Sequence, residues 1–297
     1  MKINCRPTAV AALSLPLFLS GCALISTTRK LPIPKAPVAV YTVTPEILVE
    51  RLNQRWTDLS SLNVTVDMQA SVLKTKEGLA RDYTTFSGII LMRKPEMLRV
   101  YGRLPVIGTR MFDMVSDGKN FKLFVPHYNK VYKGSNSSKK KSANQMENMR
   151  PDAFFDALAV RGLEPGDLYG VVADTEMVED KARKHLFAVP EYILSISRQK
   201  PGSQRLTPVR VVTFNRDSLL PAQQDIYDDE GNLETQVFYS AYQEFGTVKY
   251  PSTITIKRPQ ENYQLVMTVE KVKQNMALTD DQFEIKVPEG TTVQNLE

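Results

Sequence analysis

From Thr44 to Leu59 the apolar positions recur at helical spacing. Leu48, Leu52, Trp56 and Leu59 lie four, four and three residues apart, one stripe on a helix of about four turns. Thr44-Pro45-Glu46 opens it: a hydroxyl able to cap free amides, a proline where no amide is missed, then an acid. Trp56 on that stripe also reads as ordinary core. From Leu62 the period changes to two. Strand-like runs fall at about 62–74, 83–93, 97–103, 110–116, 121–126, 130–133, 186–198, 208–215, 222–228, 233–243, 252–258 and 263–274. Lys94-Pro95-Glu96, Ser116-Asp117-Gly118-Lys119 and the acidic stretch Asp228 to Asn232 are among the turns between them. Connections this short predict antiparallel neighbours. One helix interrupts the series. Pro151-Asp152 begins it, and Phe154, Phe155, Leu158 and Leu163 supply its apolar side; a Ser/Asn-rich loop at 134–149 with Lys139, Lys140 and Lys141 precedes it.

These elements predict an α+β domain over 44–297, mainly antiparallel β, whose long twisted sheet curls and carries helices on one face. Phe86, Ile90 and Met92 share one face of their strand, Phe112 and Met114 share one face of theirs, and Leu265 and Met267 another. Two helices are few for a sheet of this length. Part of the concave side is therefore expected to remain open as an apolar cavity, lined by Trp56, Phe86, Ile90, Met92, Phe112, Met114, Leu265 and Met267. Five methionines (Met68, Met92, Met97, Met111, Met114) cluster in the first half of the sheet, where flexible thioethers suit a variable apolar ligand. The alternative is plain core packing.

Composition adds constraints. With 297 residues, 42% hydrophobic and 24% charged, the chain is neither disordered nor a polytopic membrane protein. Its start is different in kind. Lys2 and Arg6 precede an apolar stretch from Ala9 to Leu19, too short for a bilayer span of ~20 residues but right for an export signal. Leu19-Ser20-Gly21-Cys22 resembles the lipobox of bacterial lipoproteins, which implies removal of residues 1–21 and acylation of Cys22. An ordinary secretory signal with an incidental Cys22 is the alternative. Losing Lys2 and Arg6 takes two from the formal charge of +5. Cys22 is then the last cysteine, so the domain has no disulfide to rely on. Acyl chains at ~0.8 kcal/mol per buried CH₂ would anchor it firmly. Residues 22–43 form the lipidated start and a tether carrying Pro32, Pro34 and Pro37, readable as a spacer or as a plain disordered leader. Ala23, rather than Asp, after the cysteine leans towards the outer membrane under the enterobacterial sorting rule.

Several motifs, taken in order, resemble the lipoprotein-localisation proteins LolA and LolB. They are Gly88 to Pro95, then Leu98-Arg99-Val100, then Leu104-Pro105-Val106-Ile107-Gly108, then Asp117-Gly118 and Val125-Pro126. The helix from Met149 to Gly162 is similar to an internal helix of the LolB branch. Tyr250-Pro251, Asn275, Leu278 and Phe283 to Pro288 are similar to the family's paired strands, Asn-x-x-Leu step and closing strand. The resemblance implies an unclosed half-barrel of about eleven strands with helices covering the concave face. It also implies an outer-membrane lipoprotein that faces the periplasm, binds acyl chains of lipids or lipoproteins and receives them from a periplasmic LolA-like carrier. Val106 and Ile107 match the position where LolB exposes an apolar residue to lipid; packing under their own loop is the alternative. The longer chain and the larger 134–149 loop depart from LolB. A non-transporting envelope lipoprotein on the same fold, a sensor or assembly module, is the rival reading.

No catalytic or cofactor motif appears. There is no Gly-x-Ser-x-Gly, no His-Glu-x-x-His, no Cys-x-x-Cys and no Gly-rich phosphate loop, so the expectation is no enzyme and no cofactor. His127 and His185 are isolated, and Asp225, Asp228, Asp229 and Glu230 lack the spacing of a calcium loop. Lys139 to Lys141 read as a solvated loop, or as a contact for anionic headgroups. The small positive charge and the expected compartment argue against nucleic acid as a partner.

Overall fold

The computed structural model describes residues 40–74, 79–104, 108–136, 151–180 and 185–296. Cys22, the tether up to residue 39, Val106 and Ile107, and most of the 134–149 loop lie outside the described residues.

The first helix, α1 (Pro45–Asp58), begins as its sequence dictates. Thr44 caps it, its hydroxyl accepting from the Ile47 amide at 3.5 Å, and Pro45 occupies the first turn. Strands β1 (Ser61–Lys74), β2 (Leu79–Asp82), β3 (Phe86–Arg93), β4 (Met97–Arg103), β5 (Arg110–Ser116), β6 (Asn120–Val125) and β7 (Lys130–Ser135) follow. After α2 (Pro151–Leu158) come β8 (Asp167–Asp180), β9 (His185–Gln199), β10 (Leu206–Asn215), β11 (Pro221–Tyr227), β12 (Leu233–Phe245), β13 (Val248–Arg258) and β14 (Tyr263–Gln274), then β15 (Thr292–Leu296).

Among the described residues all fifteen strands belong to one sheet, in the order β15-β7-β6-β5-β4-β3-β1-β14-β13-β12-β11-β10-β9-β8, with β2 paired to β1 alone. Every pairing is antiparallel except β15 with β7. The two end strands, β15 and β8, do not meet, so the sheet is unclosed. About eleven strands were expected, and the count is corrected to fifteen; β2, β8 and β15 lie outside the twelve sequence runs. The stretch expected as a closing strand, 283–288, is not one. A 3-10 turn at Asp280–Phe283 ends there, and the last strand forms later, at β15. The reason is a competing set of partners. Arg93 donates to the Leu278 carbonyl at 2.6 Å and Arg99 to the Gln282 carbonyl at 2.9 Å, and these draw residues 276–284 across β3 and β4 as a strap.

The sheet curls around α2. That helix touches both β5 and β13, which stand five places apart in the sheet. Laid flat at ~4.8 Å per strand they would be about 24 Å apart, whereas a helix is only about 10–12 Å wide. The helix side is therefore the concave side. Its rows are apolar across many strands: Val64, Ile90, Val100, Met114, Leu123 and Tyr132 are successive partners in register, and all are buried. Phe154, Phe155 and Leu158 of α2 pack into this core. Leu48, Val49 and Leu52 of α1 cover a second cluster, with Tyr192, Leu194, Ile196, Val212 and Phe214 of β9 and β10.

Carbonyls at the end of α2 would be orphaned without partners. Gln224 donates to the Asp156 carbonyl and Tyr250 to that of Leu158 at 2.8 Å, while Arg210 holds the chain just beyond the helix through the Arg161 carbonyl at 3.0 Å. Side chains of β10, β11 and β13 thus fix where the helix stops. At the other end, burial pushes the Asp152 carboxyl up to about 6 against the pull of Arg258, and its Oδ1 has no hydrogen-bond partner. Because the folded state holds this proton more tightly than the unfolded chain, the contribution is present below about pH 4 and lost as pH rises through about 6. Asp152→Asn is expected to raise stability by about 1–3 kcal/mol at neutral pH and to leave it nearly unchanged at acid pH. Urea denaturation of both proteins on either side of that window checks this.

Candidate functional site

A cavity of about 420 Å³ opens on the concave side between α1, the exit of α2 and the β12–β13 hairpin. This is the size range of small-molecule sites, about 300–1,000 Å³. Leu52, Trp56 and Leu59 of α1 form one wall, Leu158 and Val160 a second, and Tyr239, Tyr242, Val248 and Tyr250 a third. Arg55, Asp58 and Lys249 also border it, and all three are exposed.

The tyrosines present rings rather than free hydroxyls. Tyr242 donates to the Pro221 carbonyl at 2.8 Å, Tyr250 to that of Leu158, and the Tyr239 hydroxyl accepts from Gln224 at 2.6 Å. Burial pushes all three phenols up from their usual range, so they remain neutral. Tyr239 and Tyr242 are three residues apart, and strict alternation would place them on opposite faces. Ala241 between them has φ 51°, in the left-handed region, and this resets the alternation. Asn275, also left-handed, closes the cavity's edge. Its side chain accepts from the Ser60 amide at 2.8 Å and donates to the Asp58 carbonyl at 2.9 Å, tying the end of α1 to the end of β14.

Among the eight residues expected to line a cavity, Trp56 is on its wall. The Trp56 ring stands edge-on to Phe155 at 6.3 Å, with the Lys94 ammonium 4.5 Å above it. Lys94 also donates to the Trp56 carbonyl, capping α1. The other seven, Phe86, Ile90, Met92, Phe112, Met114, Leu265 and Met267, sit in the packed core and do not line this cavity. The physical reason is that α2 and their own side chains occupy the concavity. Gly88 and Gly102 are cross-strand partners there. A Cβ on Gly88 would lie 2.1 Å from the Met68 terminal methyl, and one on Gly102 would lie 2.6 Å from the Phe112 ring. The room the glycines leave is already filled. Sequence reasoning missed Tyr239, Tyr242 and Tyr250; three tyrosines within twelve residues were the available signal.

A second hollow of about 490 Å³ lies between β5–β7, the 3-10 turn and β15, where Met97, Val115 and Phe283 adjoin Lys122 and Lys133. Among the described residues no helix is long and apolar enough to cross a membrane, and no group of three or more His, Cys, Asp or Glu could hold a metal ion.

No protein-family profile and no curated protein matches the chain. Solved structures do. A DUF1329 family protein from Desulfovibrio piger superposes with a TM-score of 0.50 at 18% identity, over 80% of this chain and 95% of that one. A LolA superfamily protein from Nitrosomonas europaea gives 0.49 at 13% identity, over 82% and 99%. A putative outer membrane lipoprotein-sorting protein domain from Vibrio parahaemolyticus gives 0.48 at 13%, over 80% and 94%. The likeness to the first is one of fold alone.

Proposed function

We propose that this protein is an outer-membrane lipoprotein, anchored through Cys22 and facing the periplasm. It holds acyl chains of lipids or lipoproteins in the cavity beside α1, in lipoprotein insertion or lipid transfer. The observation that carries this reading is the neutral apolar wall of Leu52, Trp56, Leu59, Val160 and the three tyrosine rings, with two cations, Arg55 and Lys249, and one acid, Asp58, beside it. A hydrocarbon tail gains about 0.8 kcal/mol per buried CH₂ on entering such a wall. An acidic or phosphate headgroup then finds cations at the border. The lipobox pattern and the ordered LolA/LolB-like motifs support the envelope setting. Exchange with a periplasmic LolA-like carrier, contact of the Val106–Ile107 loop with lipid, and action without covalent chemistry or cofactor belong to the same proposal.

A second reading has its own observation. The seven core residues named above fill the concavity, as they would in a non-transporting sensor or assembly module. Val248→Glu separates the two. Val248 is half-buried on the cavity wall, so the new carboxylate meets the ligand rather than the deep core. Under the acyl-binding reading it is expected to weaken binding of a fluorescent fatty acid at least about tenfold, the cost of placing a charge against a hydrocarbon chain. Its melting temperature should stay near that of the parent. Fatty-acid binding that is absent in the parent, or unmoved by the substitution, favours the second reading.

A further inference from the structure

β8 is a fourteen-residue strand at one end of the sheet, and among the described residues it pairs only with β9. Its other edge therefore offers a row of backbone donors and acceptors. This strand also concentrates exposed apolar side chains: Val172 is 61% exposed, and Leu168, Tyr169, Met177 and Val178 are exposed too. The register sorts them. Val171 opposes the core residue Leu194, which puts Tyr169, Val171, Ala173 and Met177 on the helix side. Leu168, Val172, Asp174, Glu176 and Val178 take the outer side.

The outer side carries an electrostatic conflict. Asp174 lies directly opposite Glu191, and Glu176 follows two residues along on the same face. Like charges placed opposite one another in a sheet are destabilising. Burial and then the charges of Glu176 and Asp174 hold the Glu191 carboxyl above its usual range. Among the described residues no cation pairs with these three carboxylates.

We infer that the free edge of β8 is a docking site for an extended segment of a partner protein, one that alternates Lys or Arg with apolar residues. Added as a further strand, such a segment satisfies the edge hydrogen bonds. Its basic positions fall on the outer side, their ammonium or guanidinium groups beside Asp174 and Glu176 and their hydrocarbon stems along Leu168, Val172 and Val178, and its apolar positions fall beside Tyr169, Val171, Ala173 and Met177. A second copy of this chain is a poor occupant. β8 contains Asp167, Asp174, Glu176, Glu179 and Asp180 and no Lys or Arg, so self-pairing adds carboxylates to carboxylates. Docking at this edge requires no acyl binding in the cavity.

The test uses the full chain and two synthetic peptides of equal composition, one alternating lysine with valine and one with the two residues in blocks. The alternating peptide is expected to bind at least about tenfold more tightly, and the double substitution Asp174→Lys, Glu176→Lys to weaken it by a similar factor. Because that variant relieves like-charge contacts, its melting temperature should hold or rise, which separates lost binding from lost folding. Glu244→Lys on β12, an exposed acid elsewhere, should leave binding unchanged. Equal binding of the two peptides, or indifference to the double substitution, overturns the inference. A dimer in sedimentation that Val172→Lys dissolves assigns the edge to a second copy and overturns it as well.

Discussion

Arg99→Met, with Asp113 left in place, is expected to destabilise the protein by about 3–5 kcal/mol. Asp113 is fully buried on the strap side of β5, and Arg99 of β4 meets it with two parallel bonds, Nε to Oδ1 at 2.9 Å and Nη2 to Oδ2 at 2.7 Å. The remaining guanidinium nitrogen donates to the Gln282 carbonyl of the strap. One side chain thus neutralises a buried carboxylate and holds the segment that covers it. The hydrogen bond to Asp113 keeps the Arg99 pKa above its ordinary value even though burial pulls the other way. After the substitution the carboxylate stays buried, and among the described residues Arg110 at 3.8 Å is the one cation left to oppose it. That surviving cation places the cost towards the lower end of the range. Replacing both partners, Arg99→Met with Asp113→Leu, removes the stranded charge and should recover most of the loss, since apolar pairs often substitute for buried ion pairs at little cost. Urea denaturation of the single and double variants decides it. A single variant no worse than the double would mean that the carboxylate is not held by Arg99.

This site also shows what could be read beforehand. Arg99 stood in the Leu98-Arg99-Val100 motif, but nothing in the linear pattern showed that its partners were Asp113 and a carbonyl 183 residues away. The start and stripe of α1 were legible because capping and helical spacing are local. Most of the twelve legible strands, β3 and β4 among them, alternate buried with less buried positions; β5, buried on both faces, was legible from its apolar run between turn signals. β8 was not, for the same reason in reverse: neither of its faces is consistently buried, so Leu168 to Val172 reads as an apolar clump and Asp174 to Asp180 as an acidic one, with no alternation to detect. β15 was hidden because a five-residue parallel partner of β7 depends on where the strap releases the chain. The cavity was half legible. The seven residues of β3, β5 and β14 expected to line a cavity lie in the packed core. Whether a curled sheet encloses space or side chains depends on where α2 lies, and that is a long-range property no spacing records.

Phe112→Ala tests that point directly. The ring is buried, stands edge-on to Phe86 at 5.6 Å and fills the gap above Gly102. Its removal is expected to cost about 3–5 kcal/mol, transfer of the ring plus the void left behind. Close-packed neighbours relax only partly, so the void should persist as a dry apolar pocket. Saturating benzene should then raise the variant's melting temperature by more than it raises the parent's. Gly102→Val in the same chain puts methyl groups back where the ring was and should regain part of the loss; in the parent, the same Gly102→Val collides with Phe112 and destabilises. Fatty-acid binding is the informative control. The cavity beside α1 is walled by other residues, so a folded Phe112→Ala protein should keep its affinity there if that cavity is the acyl site. A fall in fatty-acid affinity matched to the loss of the ring would instead place the hydrocarbon chain in the core of the sheet, among the residues that now fill it.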